Sequence, residues 1–290
     1  MPGMPSAPDP IDPHVLRERA GVRSFERVAQ VGSTMDRARE WALDRAVPLP
    51  AVVVADSQSL GRGRRGARWW QPPGSLAVSI VLDGDALGVG GLEPRPTWSL
   101  ACGVAVAEAV AAIEPATAPR VRWPNDVESQ GRKLAGIIVE TTPGGRAIFG
   151  IGINTTGTAA SAPAALRERI ATMPDLVGRT TPRETLLVEL VPRLVRLLTE
   201  ISADAGRLVA RYRPLCSLTG SDVTVFNGSG SIGRPASDCG DRRISGRCHG
   251  IDSDGALVIE TVAGRLHLAS GSLTDPADVW HGEEDALTKG

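Results

Sequence analysis

The segment AVVVAD at 51–56 limits what this chain can fold into more than any other. Its apolar residues are continuous and mostly β-branched, which fits a buried strand, and Pro48 and Pro50 mark a turn just before it. The strand runs directly into Gln58-Ser59-Leu60-Gly61-Arg62-Gly63-Arg64-Arg65-Gly66, a cluster of arginines spaced by glycines. Glycine permits unusual dihedrals and close backbone approach, and guanidinium groups offer planar forks of donors for phosphate or carboxylate. The loop lacks the Gly-Lys-Ser/Thr of a Walker A motif and the spacing of the dinucleotide fingerprint. A merely solvated charged loop is the alternative.

Other elements arrange themselves around this strand. Ser33 and Asp36 resemble a capping box that opens a helix through about Asp44. Gly74–Leu82 is the next strand, and a Gly/Asp/Pro-rich stretch to Pro96 leads into an Ala-rich helix over about Trp98–Ile113. Strands are expected at Arg120–Trp123, Leu134–Glu140 and Ala147–Asn154, with Gly144-Gly145 as a hairpin turn between the last two. This predicts an α/β (α+β) chain with a mixed β-sheet flanked by helices. Thr181-Pro182-Arg183-Glu184 provides a cap, an early proline and a capping-box Glu for a helix to about Glu200, interrupted or shifted at Pro192. A further helix, about Ala203–Tyr212, ends at Pro214.

Beyond that point the chain changes character. Short β-rich runs at Asp222–Phe226, Arg243–Gly250, Ala256–Thr261 and Arg265–Ala269, separated by Gly, Asp and Ser, predict a small barrel. The expected units are a flexible extension at 1–22 with at most one short helix, a main domain at 23–214, a small barrel at 215–275 and a tail at 276–290.

Charge and cysteine content exclude several classes. The formal net charge is −1, so the composition does not call for a nucleic-acid surface. Cys102, Cys216, Cys239 and Cys248 form neither a CxxC pair nor a zinc spacing, and no basic-then-apolar leader is seen. Trp98–Ile113 is broken by Glu108 and falls short of the roughly 20 residues of a membrane helix. A reducing, cytoplasmic setting without membrane contact is expected.

Polar clusters gather where strands end. Trp69 and Trp70 cannot both face one core in extended chain, which leaves one to cover a ligand ring or simply to pack. In Arg122-Trp123-Pro124-Asn125-Asp126 the proline stops a strand and leaves an amide and a carboxylate at its end, for chemistry or for an Asx turn. Lys133, the one lysine apart from Lys289 near the end, starts another strand, and Gly136 allows close approach nearby. Asn154 closes the run Gly150-Ile151-Gly152-Ile153. A lysine and an aspartate near an arginine loop suit an anionic substrate whose charge grows during reaction.

In combination these segments resemble the biotin protein ligases. Gly32-Ser33-Thr34, QSLGRGRRGARWWQPPG from Gln58 to Gly74, RWPNDVESQGRKLAGIIVE from Arg122 to Glu140, and GIGIN from Gly150 to Asn154 carry the resemblance, which runs from about Phe25 to Thr274. It implies a class II synthetase-like biotin/lipoate ligase catalytic domain followed by an SH3-like barrel. It also implies activation of biotin by ATP and Mg2+ to biotinyl-5'-AMP, then transfer to a lysine of a biotin carboxyl carrier domain. No tightly bound prosthetic group is expected.

By that resemblance Ser33, Thr34 and Gln58 hold the ureido ring. Gly61, Arg62, Gly63 and Arg64 close over carboxylate and α-phosphate, with Lys133 and Gly136 beside them. Arg65, Trp69, Asn125 and Asn154 fall on the nucleotide side. Lys133, Arg64, Asn125 and Asp126 form the catalytic set, and Asp126 orients Mg2+ or the incoming amine. Met35 stands where the family usually has Asn. Ser270-Gly271-Ser272-Leu273 lacks the usual acidic residue after its glycine, so the resemblance assigns no nucleotide contact to the barrel and leaves open whether it meets nucleotide or carrier. The region before Phe25 is too short for the winged helix of the repressor type, so a monofunctional ligase is expected, a monomer or weak ligand-dependent homodimer. A lipoate ligase or octanoyl transferase is the neighbouring reading, and an inactive binding protein the remote one; the polar set at 33, 34 and 58 and the retained Lys133 speak for biotin ligation.

Overall fold

A computed structural model of the protein describes residues 9–84, 87, 95–227, 242–273 and 279–282. Cys239, Gly240 and Lys289 lie outside these residues.

The strand read at 51–56 is β2 (Ala51–Gln58), second from the edge of a seven-stranded sheet. The sheet also contains β1 (Ser24–Val31), β3 (Leu76–Asp83), β4 (Arg120–Arg122), β5 (Asp126–Ser129), β6 (Arg132–Thr141) and β7 (Arg146–Ile153), in the order β1-β2-β3-β7-β6-β5-β4. β1 and β2 are parallel, because helix α2 (Thr34–Leu43) carries the chain back between them; the remaining pairs are antiparallel. The sheet is therefore mixed, as the sequence predicts, and β6 and β7 form the expected hairpin, with Gly145 at φ 76° in its turn.

Continuous apolar strands follow from layers on both faces. Ala51 and Val53 pack against Met35, Ala38 and Ala42 of α2, whereas Val52 and Val54 enter the large core on the other side. That core is filled by α3 (Pro96–Ile113), whose Gly103 brings the helix so close to the sheet that a Cβ there would lie 3.1 Å from Val121 Cγ1. α3 is apolar around most of its circumference because it lies between the sheet and α5 (Arg183–Ala203). The C-terminal end of α2 is held by Arg146, which donates to the carbonyls of Trp41, Asp44, Arg45 and Val47.

α5 differs from its sequence reading at two points. It passes through Pro192 unbroken to Ala203, and beside that proline the Glu189 carbonyl accepts from the Arg193 guanidinium at 2.8 Å. Glu184 does not close a capping box, because its carboxylate accepts from Asp12 N instead. The chain around 9–22 is tied down by this contact and by α1 (Pro13–Ala20), whose fully buried Leu16 packs into the core beside α5. Arg183, fully buried, donates from Nε to Asp9 at 2.7 Å and from Nη1 to Asp56 at 2.7 Å, while Arg27 Nε reaches Asp56 at 3.0 Å.

The small barrel expected at the C-terminal side is overturned. After α4 (Met173–Val177), α5 and α6 (Gly206–Tyr212), the strands β8 (Asp222–Asn227), β9 (Arg242–Ile251), β10 (Leu257–Thr261) and β11 (Gly264–Leu268) form an open antiparallel sheet in the order β11-β10-β9-β8. Closure would require β11 to meet β8 and to bury alternate side chains. Instead Arg265, Leu266 and His267 all face solvent on β11, and the outer edge of β8 meets Ser272 in a single bridge at Phe226. The open sheet leans on the larger one through Trp123, 1% exposed, whose Nε1 donates to Gly255 O at 3.1 Å.

Candidate active site

The N-terminal end of α2 and the end of β2 meet at three polar side chains. Ser33 caps the helix by accepting from Met35 N at 3.3 Å. Thr34 donates to Gln58 Oε1 from its backbone N at 2.8 Å and from its hydroxyl at 3.2 Å, and that hydroxyl accepts from Ser79 Oγ at 2.8 Å. With its oxygen occupied, the Gln58 amide has its Nε2 donors left for a ligand.

The Gly/Arg loop continues the parallel pairing of β1 and β2, since Ser59 N donates to Val31 O and Leu60 N to Gly32 O. It then folds back on itself: Gly63 N donates to Ala67 O at 2.6 Å and Trp69 N to Gly61 O at 2.9 Å. The turn needs left-handed backbone at Arg65 (φ 54°) and Gly66 (φ 78°), the first a strained position for an arginine. Each arginine is held separately, Arg65 by donating from Nη1 to Phe226 O at 3.5 Å. Arg62 pairs with Asp36 at 2.8 Å, Arg64 Nη1 donates to Asn125 Oδ1 at 3.2 Å, and Arg68 donates to Ser59 O at 2.8 Å.

The β4–β5 turn contains a cis Trp123–Pro124 peptide, followed by Asn125, whose backbone O and side-chain Nδ2 both bind the Ile137 backbone. Asn125 is thus fixed to β6 with its Oδ1 turned to Arg64. Lys133 Nζ lies 2.7 Å from Asp126 Oδ1, a close ion pair whose angles fall outside those of a hydrogen bond. The backbone of Lys133 is clamped by Arg169 O and Ala171 N, so the segment after β7 fixes where the ammonium starts from.

A row of glycines makes the floor. Gly136 on β6 is directly opposite Gly152 on β7, and Gly150 lies two residues along on the same face. The Trp69 indole lies over this floor: a Cβ at Gly152 would come within 2.4 Å of its Cε2, and one at Gly136 within 3.1 Å of its Cζ3. Lys133 Nζ is 5.7 Å from the Trp69 ring centroid, within cation–π range.

These groups surround one cavity of about 500 Å3. Of the residues singled out from sequence, Ser33, Thr34, Gln58, Arg62, Gly63 and Arg64 line it from the α2 and loop side. Arg65, Trp69, Asn125, Asp126, Lys133 and Gly136 complete that set. Gly61 and Asn154 do not line it. Gly61 packs under the Trp69 backbone, and Asn154, 1% exposed, donates through Nδ2 to Ala171 O at 2.9 Å. Arg122 and Glu128 fall within the run read as a site but were given no role of their own; Glu168, Arg169, Val279 and Trp280 were not singled out from sequence, and Ser272 and Leu273 were assigned no ligand contact. The Gly-x-Gly at 150–152 was a readable signal, since alternate glycines in a strand mark one face where something comes close.

Neighbouring charges act on one another in the cavity. Desolvation lowers the pKa of Arg64, repulsion from Arg65 lowers it further, and Asp126 works the other way. Partial burial opposes the charge of Asp36, but hydrogen bonds from Arg62 and Arg39 outweigh it and hold the carboxyl below its ordinary value. No group of three or more His, Cys, Asp or Glu is gathered among the described residues. Asp126 and Glu128 both line the cavity, and Mg2+ is commonly held by one or two carboxylates together with substrate phosphates.

Residues 28–155, which contain most of this sheet and the loop, match the Biotin/lipoate A/B protein ligase family. The bifunctional ligase/repressor BirA of Escherichia coli is 30% identical over 267 residues, covering 88% of this chain and 76% of that protein. The biotin–[acetyl-CoA-carboxylase] ligase of Mycobacterium tuberculosis is 30% identical over 273 residues, covering 90% of this chain and 94% of that protein. The chain belongs to the biotin protein ligases. The fold is also that of the Aquifex aeolicus biotin protein ligase solved with biotin and ATP, at TM-score 0.71 and 24% identity over 87% of this chain and 98% of that one.

Proposed function

We propose that the chain activates biotin with ATP and transfers it to a lysine of a biotin carboxyl carrier domain, with Lys133 central to both steps. One observation supports this most: a single lysine, paired with Asp126, shares one cavity with Arg64 and with the polar set Ser33, Thr34 and Gln58.

In the first step a biotin carboxylate oxygen attacks the α-phosphorus, the bond to the β-phosphate oxygen breaks, and pyrophosphate leaves. Two anions must approach each other, and the Lys133 ammonium with the Arg62 and Arg64 guanidinium groups offsets their repulsion. Nucleotide and magnesium enter as substrate, with Asp126 available to the metal or, later, to the incoming amine. In the second step the neutral carrier amine attacks the acyl carbon, the carbon–oxygen bond to AMP breaks, and the proton lost by the amine passes to water or to the departing AMP phosphate. Lys133 stabilises the departing phosphate. Ser33, Thr34 and Gln58 supply donors and acceptors to the ureido ring, and the loop excludes water from an anhydride that it would hydrolyse. Catalysis is orientation and charge stabilisation, without a covalent enzyme intermediate.

The reading extends to a ligase that acts on protein and not on DNA, supported by the balanced charge. Its free thiols at Cys102, Cys216 and Cys248 suit the reducing cytoplasm. As a monomer it would leave β1 as an uncovered sheet edge for weak, ligand-dependent pairing. The test is incubation of the purified protein with ATP, Mg2+, biotin and an apo carrier domain, read by carrier mass. One biotin per carrier is expected; an unmodified carrier beside a folded enzyme refutes the assignment.

A further inference from the structure

A piece of chain remote in sequence lies against the Gly/Arg loop. Arg68 N donates to Trp280 O at 3.0 Å, and His281 Nδ1 is 3.3 Å from Gly66 O. Since that carbonyl can only accept, the imidazole hydrogen there is on Nδ1. Gly282 is close enough to Arg68 that a Cβ would sit 3.6 Å from its Cγ. Successive N–H groups of extended chain point to opposite sides. The returning limb of the loop is therefore paired with Gly61 through Trp69 N on one side and with Trp280 through Arg68 N on the other. The contact at Gly66 falls on the left-handed turn, next to the strained Arg65.

Position in the cavity adds a binding role. Trp280 and Val279 line it together with Arg65, Ala67 and Trp69. Of the two small substrates, ATP carries both a planar aromatic ring and a chain of phosphates, the chemistry that indole walls and arginines recognise. The polar set at Ser33, Thr34 and Gln58 instead suits a compact ureido ring.

We propose that residues 279–282 are positioning elements of the ligase site. Trp280 supplies a wall of the nucleotide compartment, and its carbonyl together with the His281 imidazole holds the loop, and through it Trp69, over the glycine floor. The nucleotide assignment rests on the ligase reading; the docking of the segment on the loop does not.

Steady-state kinetics and limited trypsin digestion test this on the full chain, on Trp280→Ala, Trp280→Phe and His281→Ala, and on a chain ending at Asp278. Loss of an aromatic wall should raise KM for ATP by roughly tenfold or more in Trp280→Ala, with KM for biotin unchanged and most of the loss restored by phenylalanine. His281→Ala and the shortened chain should be cut faster by trypsin after Arg65 and Arg68, at unaltered melting temperature. An unchanged KM for ATP in Trp280→Ala overturns the binding role. Equal cleavage of full and shortened chains overturns the docking. A full chain that fails to biotinylate the carrier refutes the ligase reading, while the digestion still reports whether 279–282 covers the loop.

Discussion

Lys133 Nζ stands 2.7 Å from Asp126 Oδ1, across the antiparallel pair β5–β6, whose register shifts between Val127 and Glu128. The shift lets Asp126 pair with Gly136 while Lys133 pairs with Glu128, so the ammonium reaches back along the strand to the carboxylate. Lys133→Ala should lower the rate of pyrophosphate release by about 10²–10³-fold, the usual effect of deleting one group that stabilises developing charge. Lys133→Arg should not restore it, because a planar fork cannot occupy the place of a compact ammonium under Trp69. A folded Lys133→Ala protein with full turnover would remove this residue from the chemistry.

Gly152 carries the second prediction. A methyl group there meets the Trp69 ring at 2.4 Å, so Gly152→Ala should displace the indole and sharply weaken ATP binding. Gly150→Ala strikes Met35 Sδ at 2.4 Å, on the α2 side, and should appear as overpacking of about 1–3 kcal/mol. Urea melts and KM for ATP, measured on both variants, separate the two outcomes; equal stability and equal KM for both would contradict the glycine floor.

Arg183 is fully buried between Asp9 and Asp56. Removing the guanidinium takes the cation from Asp9 and leaves Asp56 with Arg27 alone, so Arg183→Ala should cost about 3–5 kcal/mol of stability in urea unfolding. A loss below about 1 kcal/mol, the range of an exposed ion pair, would mean that solvent reaches this cluster.

Much of the main sheet was readable because its signals are local. β2, β3 and α3 are long apolar runs with proline or glycine at their borders, and the arginine loop follows its strand without a gap. The site's lysine and its Asn-Asp pair were readable from rarity and from their place at strand ends. What escaped depends on distant chain. Glu184 forms no capping box because Asp12 N, 172 residues away, claims its carboxylate. The barrel failed because strand spacing reports pairing and not closure, and the exposure of β11 is written in no local pattern. Trp280 meets Arg68 through a backbone bond, which leaves no mark in side-chain identity.

Acid unfolding provides the last prediction. Desolvation opposes the charge of Asp56, yet hydrogen bonds from Arg27 and Arg183 prevail and hold its pKa below the usual carboxylate value; Asp36 is lowered in the same sense. A carboxyl with a depressed folded pKa contributes stability that is complete above its unfolded value of about 3.9 and is lost as pH falls through the folded one. These two groups should therefore leave stability flat between neutral pH and about pH 5, and produce a decline below about pH 4. The decline should depend more on Asp56, whose side chain is 17% exposed, than on Asp36 at 46%, where water screens the pairing. Thermal melts across pH 2–7 should show a shallower acid limb for Asp56→Asn than for Asp36→Asn. Asp36→Asn should in addition free Arg62 and speed tryptic cleavage at that residue, whereas identical acid limbs in both variants and wild type would place the acid-sensitive contacts elsewhere.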